Sequence, residues 1–153
     1  MKTRLYMPSD LETVMNLFYE NVHEVCLDDY TQEQLDAWAP SDPDIVRWAS
    51  SLNKNHTLVV EENGEIIGFG NIGETGYLDR LYVDKKYLRK GVASMIVDQL
   101  EKYAKAKGIV FINTAASITS KPFFEHKGYV VLQEQSVERR GIRILRYLME
   151  KKI

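Results

Sequence analysis

Between Leu11 and Val25 the apolar residues Leu11, Val14, Met15, Phe18, Val22 and Val25 recur at three- and four-residue intervals. That spacing gathers them on one stripe of an α-helix. Ahead of the stripe, Ser9-Asp10-Leu11-Glu12 reads as a capping box, with Ser9 on the third amide and Glu12 reaching back. A short strand from Arg4 to Met7 precedes it. Thr31-Gln32-Glu33-Gln34 is a second such box, opening a short helix with Leu35 and Trp38 inside. Asp42-Pro43 marks a third helix start, since a proline in the first turn forfeits no intrahelical bond. Ile45, Trp48, Ala49 and Leu52 supply its inner face. The first third of the chain is predicted to be helical.

Strands follow. Thr57–Glu61 and Glu65–Asn71 flank Asn63-Gly64, a two-residue hairpin signal because both residues tolerate positive φ. Gly68 and Gly70 in the return strand imply a bulge or a close approach of another backbone. A turn over 73–76 leads to a strand from Tyr77 to Val83. Val92, Ile96, Leu100 and Tyr103 then mark a helix over Gly91–Lys107, closed by Gly108 after a lysine-rich last turn. Ile109–Thr114 is a short apolar strand, expected to be buried and parallel to Tyr77–Val83. Ser120–Lys127 is a short helix, and Tyr129–Val137 and Ile142–Glu150 form a hairpin around Arg139-Arg140-Gly141. The order β-ααα-βββ-α-β-α-ββ is that of an α/β fold. A single domain over 1–153 is expected, its mixed, twisted sheet of six or seven strands flanked by helices. Tyr77–Thr114 is its βαβ unit, with a right-handed crossover.

Composition narrows the function more than the fold. The 153 residues carry a net charge of −2, so neither nucleic acid nor an anionic membrane surface is an expected partner. Positive charge is local: Lys85, Lys86, Arg89 and Lys90 lie just before a helix start. Such a run is a solvated surface or an anion seat, and its place at a helix N-terminus, where backbone N–H groups lack partners, points to the seat. Cys26 is the only cysteine, which rules out an internal disulfide, and His23, His56 and His126 lack ligand spacing. No metal is expected. A helix cap follows the first strand in place of an apolar signal segment, and a reducing, cytoplasmic location is expected.

Val83–Ala93, VDKKYLRKGVA, resembles the acyl-CoA signature of the GCN5-related N-acetyltransferase (GNAT) superfamily: a strand ending in valine, then [Arg/Gln]-x-x-Gly-x-[Gly/Ala]. SITSKPFFEHKGY, starting at Ser117, resembles that family's second landmark, an Asn-x-x-Ala run leading to Phe-Tyr-Glu-x-x-Gly-[Phe/Tyr]. With the element order, the resemblance covers nearly the whole chain. It implies acetyl-CoA as acyl donor and an amine as acceptor. It also implies that Leu81, Tyr82 and Val83 bind the pantetheine arm through their backbone, and that Arg89, Lys90, Gly91, Val92, Ala93 and Ser94 hold the pyrophosphate. Ser117, at the Asn position, is implied as a further contact. Phe123 either packs on the cofactor or is plain core, and Asn113 either addresses the cofactor or caps a turn. Two positions depart from the pattern. Leu88 replaces the Arg or Gln, removing a side-chain contact to phosphate. Phe124 replaces the tyrosine that often protonates the departing thiolate.

Transfer to an amine requires a base, and Asp79 is the first candidate, read as sharing strand parity with Leu81 and Val83; a plain partner for Arg80 is the alternative. Glu20 and His23 are next, though each reads first as a solvated helix edge. Tyr82 offers a hydroxyl on the opposite face, and a backbone N–H near it is the natural donor to the oxyanion. Glu20, Glu24, Asp28, Asp29 and Asp36, with Tyr30 and Trp38, suit a small cationic or aromatic acceptor if they line its pocket. Cys26 has no visible histidine partner, so direct transfer is expected over a covalent acyl-enzyme. A non-catalytic acyl-CoA binding or sensing module is the alternative reading, and a monomer or homodimer the expected assembly.

Overall fold

The computed structural model describes all 153 residues. Strand β1 (Lys2–Leu5) enters helix α1 (Leu11–Val25) through a 3-10 turn, Pro8–Asp10; α2 (Gln32–Trp38) and α3 (Ile45–Lys54) follow. Then come β2 (His56–Glu62), β3 (Glu65–Ile72) and β4 (Tyr77–Val83), a 3-10 turn at Lys85–Tyr87, and α4 (Val92–Ala106). The chain ends with β5 (Phe111–Ser117), α5 (Lys121–His126), β6 (Val130–Arg139) and β7 (Ile142–Lys152). One seven-stranded sheet runs β1-β2-β3-β4-β5-β7-β6. Only β4 and β5 pair in parallel, so the expected mixed α/β architecture and its βαβ unit are present.

Two helix starts differ from expectation. Ser9 does not cap α1: Pro8 begins the turn earlier, its ring already holding a helical φ, and the Asp10 carboxylate accepts the Met7 N–H at 2.8 Å. Arg4 grips both oxygens of that carboxylate, at 2.8 and 2.9 Å. Asp44, not Asp42, caps α3 by accepting the Arg47 N–H at 3.1 Å. The helix begins two residues later than the Asp42-Pro43 step, and Asp42 pairs with Arg140 instead. The Thr31 box forms as read, with Thr31 and Gln34 bonding each other's backbone N–H at 3.2 and 3.0 Å.

Alternation along the strands divides the core between two faces. Leu58, Val60, Ile67, Leu78 and Ile112 meet Val92, Ile96 and Leu100 of α4, while Val59 and Phe69 meet α1, α2 and α3 through Val14, Phe18, Leu35 and Trp48. Gly68 and Gly70 are where α4 presses closest. A Cβ on Gly68 would lie 2.9 Å from Val92 Cγ1, and one on Gly70 2.7 Å from Ile96 Cγ2. The hairpin turn has Asn63 and Gly64 at φ 52° and 81°, as its dipeptide requires.

Two irregularities in β4 open the middle of the sheet. Its register against β3 steps from Asn71↔Arg80 to Ile72↔Leu78, leaving Asp79 as the extra residue of a bulge. Its pairing with β5 consists of Tyr77↔Asn113 and Leu78↔Thr114, after which the two strands part. β5 also begins and ends later than its apolar run indicated, reaching Ser117. No helix is long and apolar enough to cross a membrane.

Candidate active site

The gap where β4 and β5 part leaves backbone groups without a neighbouring strand. Asp84 N–H bonds the Ile67 carbonyl at 2.8 Å. Alternation then turns the N–H and C=O of Tyr82 toward β3 as well, opposite Phe69. Those of Leu81 and Val83 face the gap. This corrects the expectation for Tyr82, whose backbone is spent inside the sheet. The Val83 carbonyl is taken by the buried Asn21 side chain, whose Nδ2 donates at 2.7 Å. What stays free at the edge is the N–H and C=O of Leu81 and the N–H of Val83.

At the end of β4 the chain winds into α4 through two left-handed residues, Arg89 (φ 60°) and Gly91 (φ 83°). The first bond of the helix is Met95 N–H to the Gly91 carbonyl, 3.0 Å. The six backbone N–H groups from Arg89 to Ser94 have no acceptor within the protein. Consecutive unpaired amides in alternating conformations at a positive helix end form an anion-binding concavity. A Cβ on Gly91 would meet nothing within 4 Å. Its glycine is therefore demanded by φ, and not by crowding within the protein itself.

Between these features lies a cleft of about 690 Å³. Of the residues expected to contact the cofactor, Leu81, Tyr82, Val83, Arg89, Gly91, Val92, Ala93, Ser94, Ser117 and Phe123 stand on its walls. Two expected residues do not. Asn113 sits where β4 and β5 are still paired, and its Nδ2 donates to Glu150 at 2.8 Å. The Lys90 side chain lies outside the cleft walls, its ammonium 5.4 Å over the Tyr87 ring, though its backbone N–H belongs to the cradle. Ser117 Oγ exchanges hydrogen bonds with Ser120, 2.9 Å to its hydroxyl and 3.0 Å from its N–H. Phe123 is half-buried, packed against the core and bordering the cleft. Phe124 is buried, its ring 5.2 Å from that of Tyr129.

A second cavity of about 450 Å³ lies on the α1–α3 face. Both cavities are bordered by Trp38, Asp79, Tyr82, Ala115 and Ser117, which frame a window at the strand split. The bulge turns Asp79 away from the face of Leu81 and Val83 toward α3, so the parity read from the sequence is lost. Its carboxylate pairs with Arg80 at 3.0 Å and accepts from Ser51 Oγ at 3.3 Å. It is at once the window's carboxylate and Arg80's partner. The Tyr82 ring packs beside Phe18, centroids 4.9 Å apart. Burial pushes its phenol well above the ordinary range, so it stays protonated and cannot serve as the base. The Cys26 thiol, buried in the cleft wall, is likewise pushed up by burial and has no histidine partner.

Neither Glu20 nor His23 reaches the window. Glu20 borders a separate polar groove, and His23 Nε2 bonds the Ala39 carbonyl at 2.8 Å. Glu24, Asp28, Asp29 and Asp36 line neither cavity; on α1 it is the Asn21 and Val25 edge, not that of Glu24, that faces the cleft. Tyr30 and Trp38, the aromatic residues named with those acids, do border the second cavity, whereas Asn21 is a site residue not singled out from the sequence. For Asn21 the available signal was an amide at core-facing spacing from Leu17 and Phe18.

Residues 26–151 match the model of the acetyltransferase (GNAT) domain family. The uncharacterized N-acetyltransferase YafP of Escherichia coli (strain K12) is 34% identical over 152 residues, 99% of this chain and 96% of its own length. The GCN5-related N-acetyltransferase structure from Rhodopseudomonas palustris superposes with a TM-score of 0.96 at 30% identity, covering 99% of this chain and 95% of that one. The PaiA N-acetyltransferase of Thermoplasma acidophilum, solved with coenzyme A, shares the fold at a TM-score of 0.76 and 21% identity, over 100% of both chains. The window, the amide cradle and these likenesses agree: the chain belongs to the GNAT superfamily and is an N-acetyltransferase.

Proposed function

We propose that the protein transfers the acetyl group of acetyl-CoA directly to the primary amine of a small molecule. The observation that carries this reading is the run of six unpaired amides, Arg89–Ser94, beside a strand edge left open by the β4–β5 split. The cradle residues would hold the pyrophosphate, and Leu81 and Val83 would bond the pantetheine arm as an added strand would. Ser117 and Phe123 form the opposite wall. Acetyl-CoA supplies the activated thioester.

The remaining work falls to this chain's own groups. Holding amine and carbonyl together at the window supplies about 7–11 kcal/mol if the two are well oriented. A free N–H of β4, at Leu81 or Val83, is the donor available to charge developing on the carbonyl oxygen. Asp79, fixed by Arg80 and Ser51, takes the amine proton directly or through water. Cys26, held as a thiol, offers no nucleophile for a covalent acyl-enzyme. Phe124 has no proton to give, so the leaving thiolate takes one from solvent or from the amine. One sheet carrying both helical layers supports reading 1–153 as one catalytic domain.

The test mixes protein, acetyl-CoA and an amine panel and follows free thiol. Amine-dependent release is expected. Tight acetyl-CoA binding with no release across the panel would favour the sensing module, for which the apolar Phe124 speaks. Absence of acetyl-CoA binding in titration calorimetry would overturn the reading.

A further inference from the structure

The cavity across the window is rich in arginine: Arg47, Arg80, Arg139, Arg140 and Arg146 border it, against the carboxylates Asp44 and Asp79 alone. These guanidiniums are not equally available. Arg140 is engaged by Asp42 through its side chain at 2.8 Å. Arg146 is half-buried, and its Nε donates to Gln135 at 3.0 Å, leaving both terminal nitrogens without an acceptor. In the β5–β7 register it stands opposite Ser117, one of the window residues. Arg80 lies over the Trp48 ring, its central carbon 4.0 Å from the ring centroid, with one terminal nitrogen tied to Ser51 and Asp79 and the other free. The Tyr77 phenol feels Arg146, Arg139, Arg80 and Asp79 together, which places these charges around one space.

Resting on the proposed transferase reading, we propose that the acceptor amine also carries a carboxylate or similar small anion, held by Arg146 and Arg80. A half-enclosed guanidinium with free parallel N–H groups matches a carboxylate fork, and one stacked on an aromatic ring is already oriented for it. An amine with no anion would enter a cavity of excess positive charge and be repelled. The charges are also ordered along the path. Asp79 alone of the carboxylates stands at the window, where the amine must react, whereas Arg139 and Arg146 border the second cavity only. Trp38, Trp48 and Phe18 wall that cavity with apolar surface. An amino acid with an apolar or aromatic side chain fits this arrangement, its nitrogen toward Asp79 and its carboxylate toward Arg146. Transfer forms the amide C–N bond and breaks the thioester C–S bond, and the amine's proton ends on the leaving thiolate through Asp79 or water.

The experiment pairs amines that differ only in the anion: apolar and aromatic amino acids, their carboxamides, and the decarboxylated amines, each with acetyl-CoA and thiol detection. The carboxylate member of at least one set should exceed its neutral partners tenfold or more in kcat/KM. Arg146→Gln should erase that preference mainly through KM, Arg146→Lys should restore part of it, and neither should change acetyl-CoA affinity. Independently of turnover, calorimetry on CoA-saturated protein should show N-acetyl amino acids binding more tightly than their N-acetyl carboxamides. Equal or better turnover of the neutral amines, or no binding preference for any carboxylate, overturns the inference while leaving the transferase reading intact. Failure of that reading would instead appear as lost acetyl-CoA binding or as no thiol release with any amine.

Discussion

Gly91 carries the largest local demand in the site, a φ of 83° at the N-cap of α4 in the middle of the unpaired amides. A β-branched side chain there opposes the left-handed backbone that aims those amides outward. Gly91→Val should weaken acetyl-CoA binding tenfold or more by calorimetry, and unaltered affinity would count against the cradle. Asp79 acts on rate and not on donor affinity. Asp79→Asn should lower kcat by roughly 10²–10⁴ with acetyl-CoA binding unchanged, and a pH–rate profile identical to the parent's would remove Asp79 as the base. Asp10 shows a purely structural carboxylate. The hydrogen-bonded Arg4 guanidinium holds its pKa below the ordinary value, so on acidification the unfolded chain protonates first. The pair's stabilisation is complete above the ordinary carboxylate pKa and is lost as pH falls through the depressed one. Asp10→Asn should therefore flatten the acid limb of a stability–pH curve measured by urea unfolding.

The contact that binds the cofactor-side helix to the sheet is the seat of α4 on β3. Gly70→Ala would set a Cβ 2.7 Å from Ile96 Cγ2 and 3.0 Å from the Arg80 carbonyl oxygen. Neither is the free end of a flexible chain, so the helix must lift or the strand must shift. A loss of about 1–3 kcal/mol is expected, read as a lower urea midpoint. Combining it with Ile96→Ala should cost less than the sum of the two changes, as contacting residues do. The sequence already showed that Gly68 and Gly70 meant either a bulge or a close approach, but it did not say which element approaches. The bulge in β4 was less legible, because Tyr77–Val83 reads as a regular strand with no glycine to mark an interruption. Missing it put Asp79 on the wrong face.

Binding of acetyl-CoA should be visible in the stability of the entire fold. A ligand that joins only the folded state at a hundredfold excess over its Kd adds about 2.7 kcal/mol, and the cleft lies between β4, β5 and α4, elements of one sheet and its crossover helix. The denaturation midpoint should rise with acetyl-CoA concentration, and a midpoint indifferent to it would sink the assignment. Charge is also distributed unevenly: a net −2 chain gathers five arginines around one cavity. Turnover of a carboxylate-bearing acceptor should accordingly weaken with added salt, since screening reduces the attraction between guanidinium and carboxylate.

The elements, their order, the hairpin at Asn63-Gly64 and the phosphate cradle at Arg89–Ser94 could all be read from the chain because each depends on neighbours a few residues apart. Periodicity, turn chemistry and a helix N-terminus are local physics. The acceptor cavity is another matter. Arg80, Arg146 and Asp79 meet there because β7 inserts between β5 and β6, because Ser117 falls opposite Arg146, and because one extra residue in β4 reverses a side chain. Register and strand order are long-range outcomes of packing, and a single slip moves every side chain to the other face. Folding alone therefore turned an apparently acidic N-terminal pocket into an arginine-lined one.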